Sequence, residues 1–197
     1  MRIIAGRFKG RRLATPTWEG LRPTSDRLRE TLFNVLAPRV PAARVFDGYA
    51  GTGAVGLEAI SRGAASVLAV DADARAVRLM QANATACGAG AVYTTRCGDV
   101  AAVLRGLSAD ATFDLILLDP PYAVSDTGGL LEAAARHLAP DGLIVLERAT
   151  RREPEVPETL RRVRDVKSGD SSLTLFVRMV PDGDDAGRAA KGPPETP

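Results

Sequence analysis

From Arg44 onward the chain alternates short apolar runs with segments of helical period, and this alternation restricts the fold more than any other feature. Val45-Phe46, Val67–Val70, Val92–Thr95, Phe113–Leu118 and Leu143–Glu147 read as strands, while Ala54–Ser61, Asp73–Ala86, Val100–Leu104 and Leu130–Leu138 carry helical spacing. Strands separated by helical crossovers pair in parallel, so a doubly wound sheet covered by helices on both faces is expected. The end of the chain departs from that pattern. After a short helix predicted near Pro157–Arg161, the strands Val163–Lys167 and Leu173–Arg178 are joined only by Ser168-Gly169-Asp170-Ser171. So short a link permits only an antiparallel hairpin, because a parallel crossover needs a dozen or more residues.

Ahead of the sheet, residues 2–15 alternate apolar and basic stretches around Gly6 and Gly10, a pattern that suits a small β-hairpin. Leu21-Arg22-Pro23-Thr24-Ser25-Asp26 then opens a helix bearing Leu28, Leu32, Phe33 and Leu36 at helical spacing, ended by Pro38 and Pro41. The expected division is an N-terminal basic extension over 1–20, a main domain over 21–180 and a disordered tail over 181–197. The net charge of +2 is uneven: eight bases against three acids give residues 1–30 a local +5, leaving about −3 for the rest. Arg2, Arg7, Lys9, Arg11, Arg12, Arg22 and Arg27 form a candidate polyanion-binding arm. Removing residues 1–12 is expected to spare the core.

Several function classes lose support on composition. The cysteines Cys87 and Cys97 are too few for a disulfide framework or a zinc site and read as small buried hydrophobes. A single histidine, His137, placed near the end of a helix where a dipole role suffices, argues against Ser-His-Asp hydrolysis and histidine-rich metal chemistry. No apolar run reaches the roughly 20 residues that span a bilayer, and Met1–Arg7 lacks the pattern of a signal peptide. A cytoplasmic protein is the expectation.

The loop Asp47-Gly48-Tyr49-Ala50-Gly51-Thr52-Gly53-Ala54-Val55-Gly56 follows the first strand of the alternation and opens a helix. Gly51, Gly53 and Gly56 match the dinucleotide fingerprint, with Asp71 twenty residues after Gly51, so a nicotinamide-dependent oxidoreductase is one reading. Asp47 weighs against it, since a carboxylate there repels a pyrophosphate. It suits a ligand with an ammonium group and no phosphate, such as S-adenosylmethionine. On that reading Gly48, Gly51, Thr52 and Gly53 let the backbone approach the methionine moiety. Asp71 with Ala72 meets the ribose hydroxyls, and Asp99 with Val100 meets the adenine. Asp119-Pro120-Pro121-Tyr122 ends the strand Phe113–Leu118. A carboxylate and a rigid carbonyl can hold the protons of a planar amino group while a ring stacks on the base that carries it. Orienting such a poor nucleophile is positional and electrostatic work.

With these motifs in place, the chain resembles the bacterial RsmD-type 16S ribosomal RNA guanine-N2 methyltransferases over about residues 1–178. The carrying residues are Ile3-Ile4-Ala5-Gly6, Lys9-Gly10-Arg11, the block from Leu21 to Asn34, the loop Phe46–Gly56 with Leu57-Glu58-Ala59, and Asp119–Tyr122. The resemblance implies a class I S-adenosylmethionine-dependent methyltransferase fold, Rossmann-like and mostly parallel. It would end in an antiparallel hairpin and carry a small N-terminal β-hairpin and helix. It also implies S-adenosylmethionine as cofactor, no metal, and 16S rRNA or a small-subunit particle or assembly intermediate as partner, bound by a monomer. The catalytic set would be Asp119, Pro120, Pro121 and Tyr122. Methylation of adenine N6 or a protein glutamine, and a non-catalytic role in RNA binding or assembly, remain alternatives.

Overall fold

The computed structural model describes residues 1–18, 26–121, 124 and 126–179. The elements are α1 (Asp26–Leu36), β1 (Arg44–Gly48), α2 (Ala54–Ser61), β2 (Ser66–Asp71), α3 (Ala74–Cys87), β3 (Tyr93–Cys97), α4 (Val100–Arg105), β4 (Phe113–Leu118), α5 (Thr127–Ala135), β5 (Leu138–Ala149), β6 (Leu160–Ser168) and β7 (Ser171–Arg178). The strands form one seven-stranded sheet in the order β3-β2-β1-β4-β5-β7-β6. β1 to β5 pair in parallel, and β7 runs antiparallel to both β5 and β6. Central strands need apolar residues on both faces, and β4 supplies them. Leu115 and Leu117 enter the core that packs α1, α2 and α3, and Ile116 and Leu118 enter the opposite core with α4 and α5.

The structure corrects the sequence reading at several places. The helix expected over Leu130–Leu138 starts earlier, because Asp126 caps it by accepting the Gly129 N–H at 2.7 Å, and it ends at Ala135. His137 therefore lies beyond the helix. It is buried, with Nδ1 at 2.8 Å from the Ala111 carbonyl and Nε2 at 2.9 Å from that of Leu104 in the last turn of α4, so it ties the end of that helix to the loop before β4. No helix forms near Pro157–Arg161. Leu160 closes a turn on the Pro157 carbonyl at 2.9 Å and at once pairs with Arg178 as β6. Cys87 is buried as expected, but Cys97, at the end of an edge strand, is exposed. The other edge, β6, presents Arg161, Arg162, Arg164 and Lys167 to solvent, which discourages addition of a foreign strand. Residues 19–25 and the tail expected over 181–197 lie outside the described residues. No helix among the described residues is long and apolar enough to cross a membrane.

The N-terminal hairpin is short, with Arg2 and Arg12 bridging, and it is built into the core. Ile3, Phe8 and Leu13 are buried with Phe33, Leu36 and Ile60. Gly6 has φ of +79°, and a Cβ there would overlap the Ser61 carbonyl, so only glycine lets this turn sit on the end of α2. The adjoining N–H groups follow: Arg7 donates to the Ser61 carbonyl at 2.8 Å and Phe8 to Ser61 Oγ at 2.9 Å. Glu58, fully buried on α2, accepts the N–H groups of Ile4 and Ala5 at 2.7 and 2.9 Å and Arg62 Nε at 2.7 Å. Arg29 is also fully buried. Its Nη2 donates to the Arg2 carbonyl at 2.8 Å and to Asp26 at 2.7 Å, while Nη1 stands 3.8 Å from Glu58. Deleting residues 1–12 would thus remove core side chains and strand these charges, contrary to the expectation that the core is spared.

A buried ion network that loses one member leaves an uncompensated charge. Glu58→Ala is expected to cost about 3–5 kcal/mol of stability in chemical denaturation, with Glu58→Gln costing less because an acceptor remains. An unchanged midpoint for Glu58→Ala would contradict this role.

Candidate active site

Strand order reverses between β1 and β4, and ligands of open α/β sheets bind in the crevice beyond the carboxyl ends of the strands at such a reversal. The glycine loop leaves β1 there, and Asp119-Pro120-Pro121 leaves β4. Register fixes the side chains. Asp47 pairs with Leu117, Leu117 with Val145, and Leu118 with Leu146. Asp119 and Glu147, each two residues farther along, therefore project from the same face as Asp47. All three carboxylates line one cavity of about 350 Å³ that opens to solvent, walled by Leu28 and Leu32 of α1 and by Val55, Leu117, Leu118, Val145 and Leu173. Among the described residues its lining holds three acids and no base. Such a site suits a cationic ligand and disfavours a pyrophosphate, which removes the support for the nicotinamide reading.

Asp47 is 3% exposed, and its Oδ2 accepts the Gly56 N–H at 2.9 Å. Burial pushes its pKa up to about 7; the Gly56 bond pulls it back, and the charges of Asp119 and Asp71 add to the rise. A buried carboxyl in this state gains most from a cation brought beside it. The cavity thus fits a cationic group such as the ammonium or sulfonium of S-adenosylmethionine.

The loop itself is held from several sides. Gly51, at φ +55°, donates its N–H to Asp71 Oδ2 at 2.9 Å, and Asp71 Oδ1 accepts the Asp73 N–H at 2.9 Å. Asp71 therefore anchors the loop to β2 and, being only half-buried, keeps lone pairs for a diol. Ala72 beside it is exposed. Thr52 is buried, and its carbonyl accepts Asn83 Nδ2 at 2.9 Å. Gly53 has φ of +75°, and a Cβ there would run into the hydroxyl of Tyr93. Gly48 ends β1 where a Cβ would lie 2.8 Å from Leu118 and 2.9 Å from Val100. Val100 is thereby fully buried, so its apolar side chain is closed off instead of presented. Asp99 caps α4 by accepting the Ala102 N–H at 2.8 Å and is exposed.

Asp119 and Pro120 are half-buried and Pro121 is exposed, its carbonyl accepting the Val124 N–H at 2.9 Å. Tyr122 and Arg22 lie outside the described residues. Arg2, Arg7, Lys9, Arg11, Arg12 and Arg27 are all exposed. Arg7 and Arg11 lie over the Phe8 ring at 4.5 and 5.6 Å, and Arg11 also donates to the Ala86 carbonyl at 2.7 Å. Arg29 is buried and committed to the Glu58 network.

Sequence reasoning missed other contributors. Tyr93 stands under the loop with a buried hydroxyl that has no hydrogen-bond partner among the described residues, and burial holds its pKa well above the usual phenol range. Tyr49 takes φ of +62°, rare for a bulky residue, and burial together with Asp99 pushes its hydroxyl up to about 12. Asn83 and Glu147 were also passed over. Only Glu147 carried a signal, its phase two residues past Val145 on a predicted strand.

The sign of the Asp47 effect follows from linkage. Its native pKa of about 7 lies above the ordinary 3.8, so between those values the unfolded state loses a proton that the native state keeps. Stability therefore falls as pH rises from 4 to 7 and then levels. Asp47→Asn should erase a decline of up to about 4 kcal/mol across that window, measured by denaturation at a series of pH values. Parallel profiles for the two proteins would contradict the buried, proton-holding state.

Comparison with known proteins agrees with this geometry. A protein family described as "Conserved hypothetical protein 95" matches residues 1–177. Ribosomal RNA small subunit methyltransferase D of Escherichia coli (strain K12) is 33% identical over 190 residues, covering 94% of each chain. Its namesake from Haemophilus influenzae is 32% identical over 187 residues, 89% of this chain and 93% of that protein. Among solved structures, a methyltransferase from Escherichia coli superposes with a TM-score of 0.79 at 33% identity, covering 90% of this chain and 97% of that one. A hypothetical protein from a Thermus species gives a TM-score of 0.76 at 32% identity, over 91% and 99% of the two chains. With the family match spanning nearly all described residues and the acid-lined crevice in place, the chain belongs to the family of the ribosomal RNA small subunit methyltransferase D proteins.

Proposed function

We propose that the protein methylates the exocyclic N2 of one guanine in 16S rRNA, as a monomeric cytoplasmic enzyme acting on the rRNA or on a small-subunit particle. The observation that carries this reading is Asp119, which leads into Pro120-Pro121, on the lining of a cavity that also holds Asp47 and Glu147 and, among the described residues, no base. S-adenosylmethionine, the cofactor, supplies an activated methyl group on its sulfonium. Asp47 balances the ammonium, Asp71 takes the ribose hydroxyls, and Asp99 meets the adenine amine. The target base leaves its stack, at a cost of a few kcal/mol, and Tyr122 is assigned on chemistry alone to stack against it. Asp119 and the Pro120 carbonyl accept the two amine protons. That orients the nitrogen lone pair and lets Asp119 offset the positive charge that develops as the nitrogen gains a methyl. The leucines of α1 and β4 keep water from the reacting atoms.

In this reading residues 1–20 form an RNA-docking arm on the methyltransferase domain. Because the arm's backbone is part of the core, its charge is best tested without truncation. Changing Arg7, Lys9 and Arg12 together to alanine should flatten the slope of log affinity against log salt by up to about 2.1–2.7, at roughly 0.7–0.9 per phosphate contact. An unchanged slope in filter binding of rRNA would reduce the arm to a solvated surface.

The reaction is tested by incubating the enzyme and radiolabelled S-adenosylmethionine with naked 16S rRNA, small-subunit particles and DNA, followed by nucleoside analysis. Label in N2-methylguanosine from an rRNA substrate is expected, and Asp119→Ala should abolish it in protein that thermal melting shows to be folded. Label in N6-methyladenosine, or none in RNA, would contradict the reading.

A further inference from the structure

The active end holds one acid that the mechanism above does not use. Glu147, near the end of β5, is in register with Asp119, the residue that follows β4, so the two sit side by side on neighbouring parallel strands and share a face. Glu147 lines the cofactor cavity with Asp47 and Asp119. It also lines a second cavity of about 330 Å³ on the other side of the acceptor motif, with Pro120, Pro121, Val124 and Thr127. Glu147 is thus shared by the cavity that holds Asp47 and Asp119 and by the one bordered by Pro120 and Pro121, where the guanine-N2 reading puts the amine-bearing base. Ser171 Oγ donates to its Oε1 at 3.1 Å and fixes the direction of the carboxylate. A carboxylate offers about four acceptor positions, more than any single partner fills.

Resting on the guanine-N2 reading, we propose that Glu147 selects guanine by accepting its N1–H while Asp119 and the Pro120 carbonyl hold the N2 protons. The chemistry is decisive at this edge. Beside its exocyclic amine, guanine presents a ring N1 that donates, and a carboxylate is an acceptor only. Adenine presents beside its amine a ring N1 that accepts, and two acceptors facing each other in a desolvated pocket repel. A site built to hydrogen-bond one edge rejects the analogue lacking it because its own polar group is left unpaired. Arg148, the nearest buried base in the second cavity, cannot take over the reading. Its guanidinium already serves Thr174, Asp165, Glu153 and the carbonyls of Ala149, Thr150 and Arg152.

The test uses 2-aminopurine, which keeps the N2 amine but turns N1 into an acceptor. The guanine that the wild-type enzyme labels is mapped, and 16S rRNA is rebuilt by ligation with guanine or 2-aminopurine at that position. Wild-type enzyme should prefer guanine in kcat/KM by about tenfold or more. Glu147→Gln, whose amide can either accept or donate, should bring the ratio to about one, and Glu147→Ala should narrow it as well. Both substrates use the same cofactor, so the ratio cancels any change in cofactor affinity, and thermal melting reports whether each variant folds. A wild-type ratio near one, or a ratio unmoved in folded variants, overturns the assignment. Failure of the wild-type enzyme to label guanine in any rRNA substrate would instead overturn the reading on which it rests.

Discussion

In-register parallel pairing of β1 with β4 and of β4 with β5 sets Asp47, Asp119 and Glu147 on one face, at the ends of three adjacent strands. Below them the same face carries Val45, Leu115, Leu117, Leu143 and Val145, all buried. Each acid therefore continues an apolar column that fills the core, and it cannot turn away without disrupting that column. A one-residue slip of any strand would send its acid to the opposite face. The apolar floor keeps the local dielectric low, which raises the pKa of Asp47 and strengthens every charge interaction above it. Sheet packing and site electrostatics are one arrangement.

A second arrangement joins the N-terminal arm to that site through α1. One stripe of this helix, Leu28 and Leu32, walls the cavity. Another presents Arg29 to Asp26, to the Arg2 carbonyl and to Glu58. Glu58 in turn holds the backbone of Ile4 and Ala5. The basic residues at the surface thus rest on a scaffold that also shapes the pocket, and the arm cannot be removed as a unit without opening it.

Much of this was legible in the sequence because it depends on local pattern. The helix Ala54–Ser61 and the strand Phe113–Leu118 appear with the expected bounds, since continuous apolar strands and a glycine-led helix start leave few alternatives. The Ser168–Ser171 link forced an antiparallel turn and the structure has one. What failed depended on tertiary partners. His137 has a helical neighbourhood in sequence, but the helix ends at Ala135 and the imidazole bridges the carbonyls of Ala111 and Leu104. Arg29 counted as one more positive charge until Glu58, distant in sequence, was seen to bury it. Asp71 reads as a ligand group, yet it also accepts the N–H of Gly51 from the loop after β1, a tertiary duty that no spacing rule announces, while Asp99 also caps α4 through Ala102. Glu147 needed the β4–β5 register before its nearness to Asp119 could be seen.

The central claim is that a row of carboxylates over an apolar floor is tuned to receive a cation. Proton counting tests it most directly. Calorimetric titration of S-adenosylmethionine into the protein at pH 6–7, repeated in buffers of different ionisation enthalpy, gives the protons exchanged on binding. Arrival of the ammonium beside Asp47 should ionise it and release about 0.5–1 proton per cofactor bound. Binding with no proton release at these pH values would show that Asp47 is already charged or does not face the cofactor, and would contradict the account.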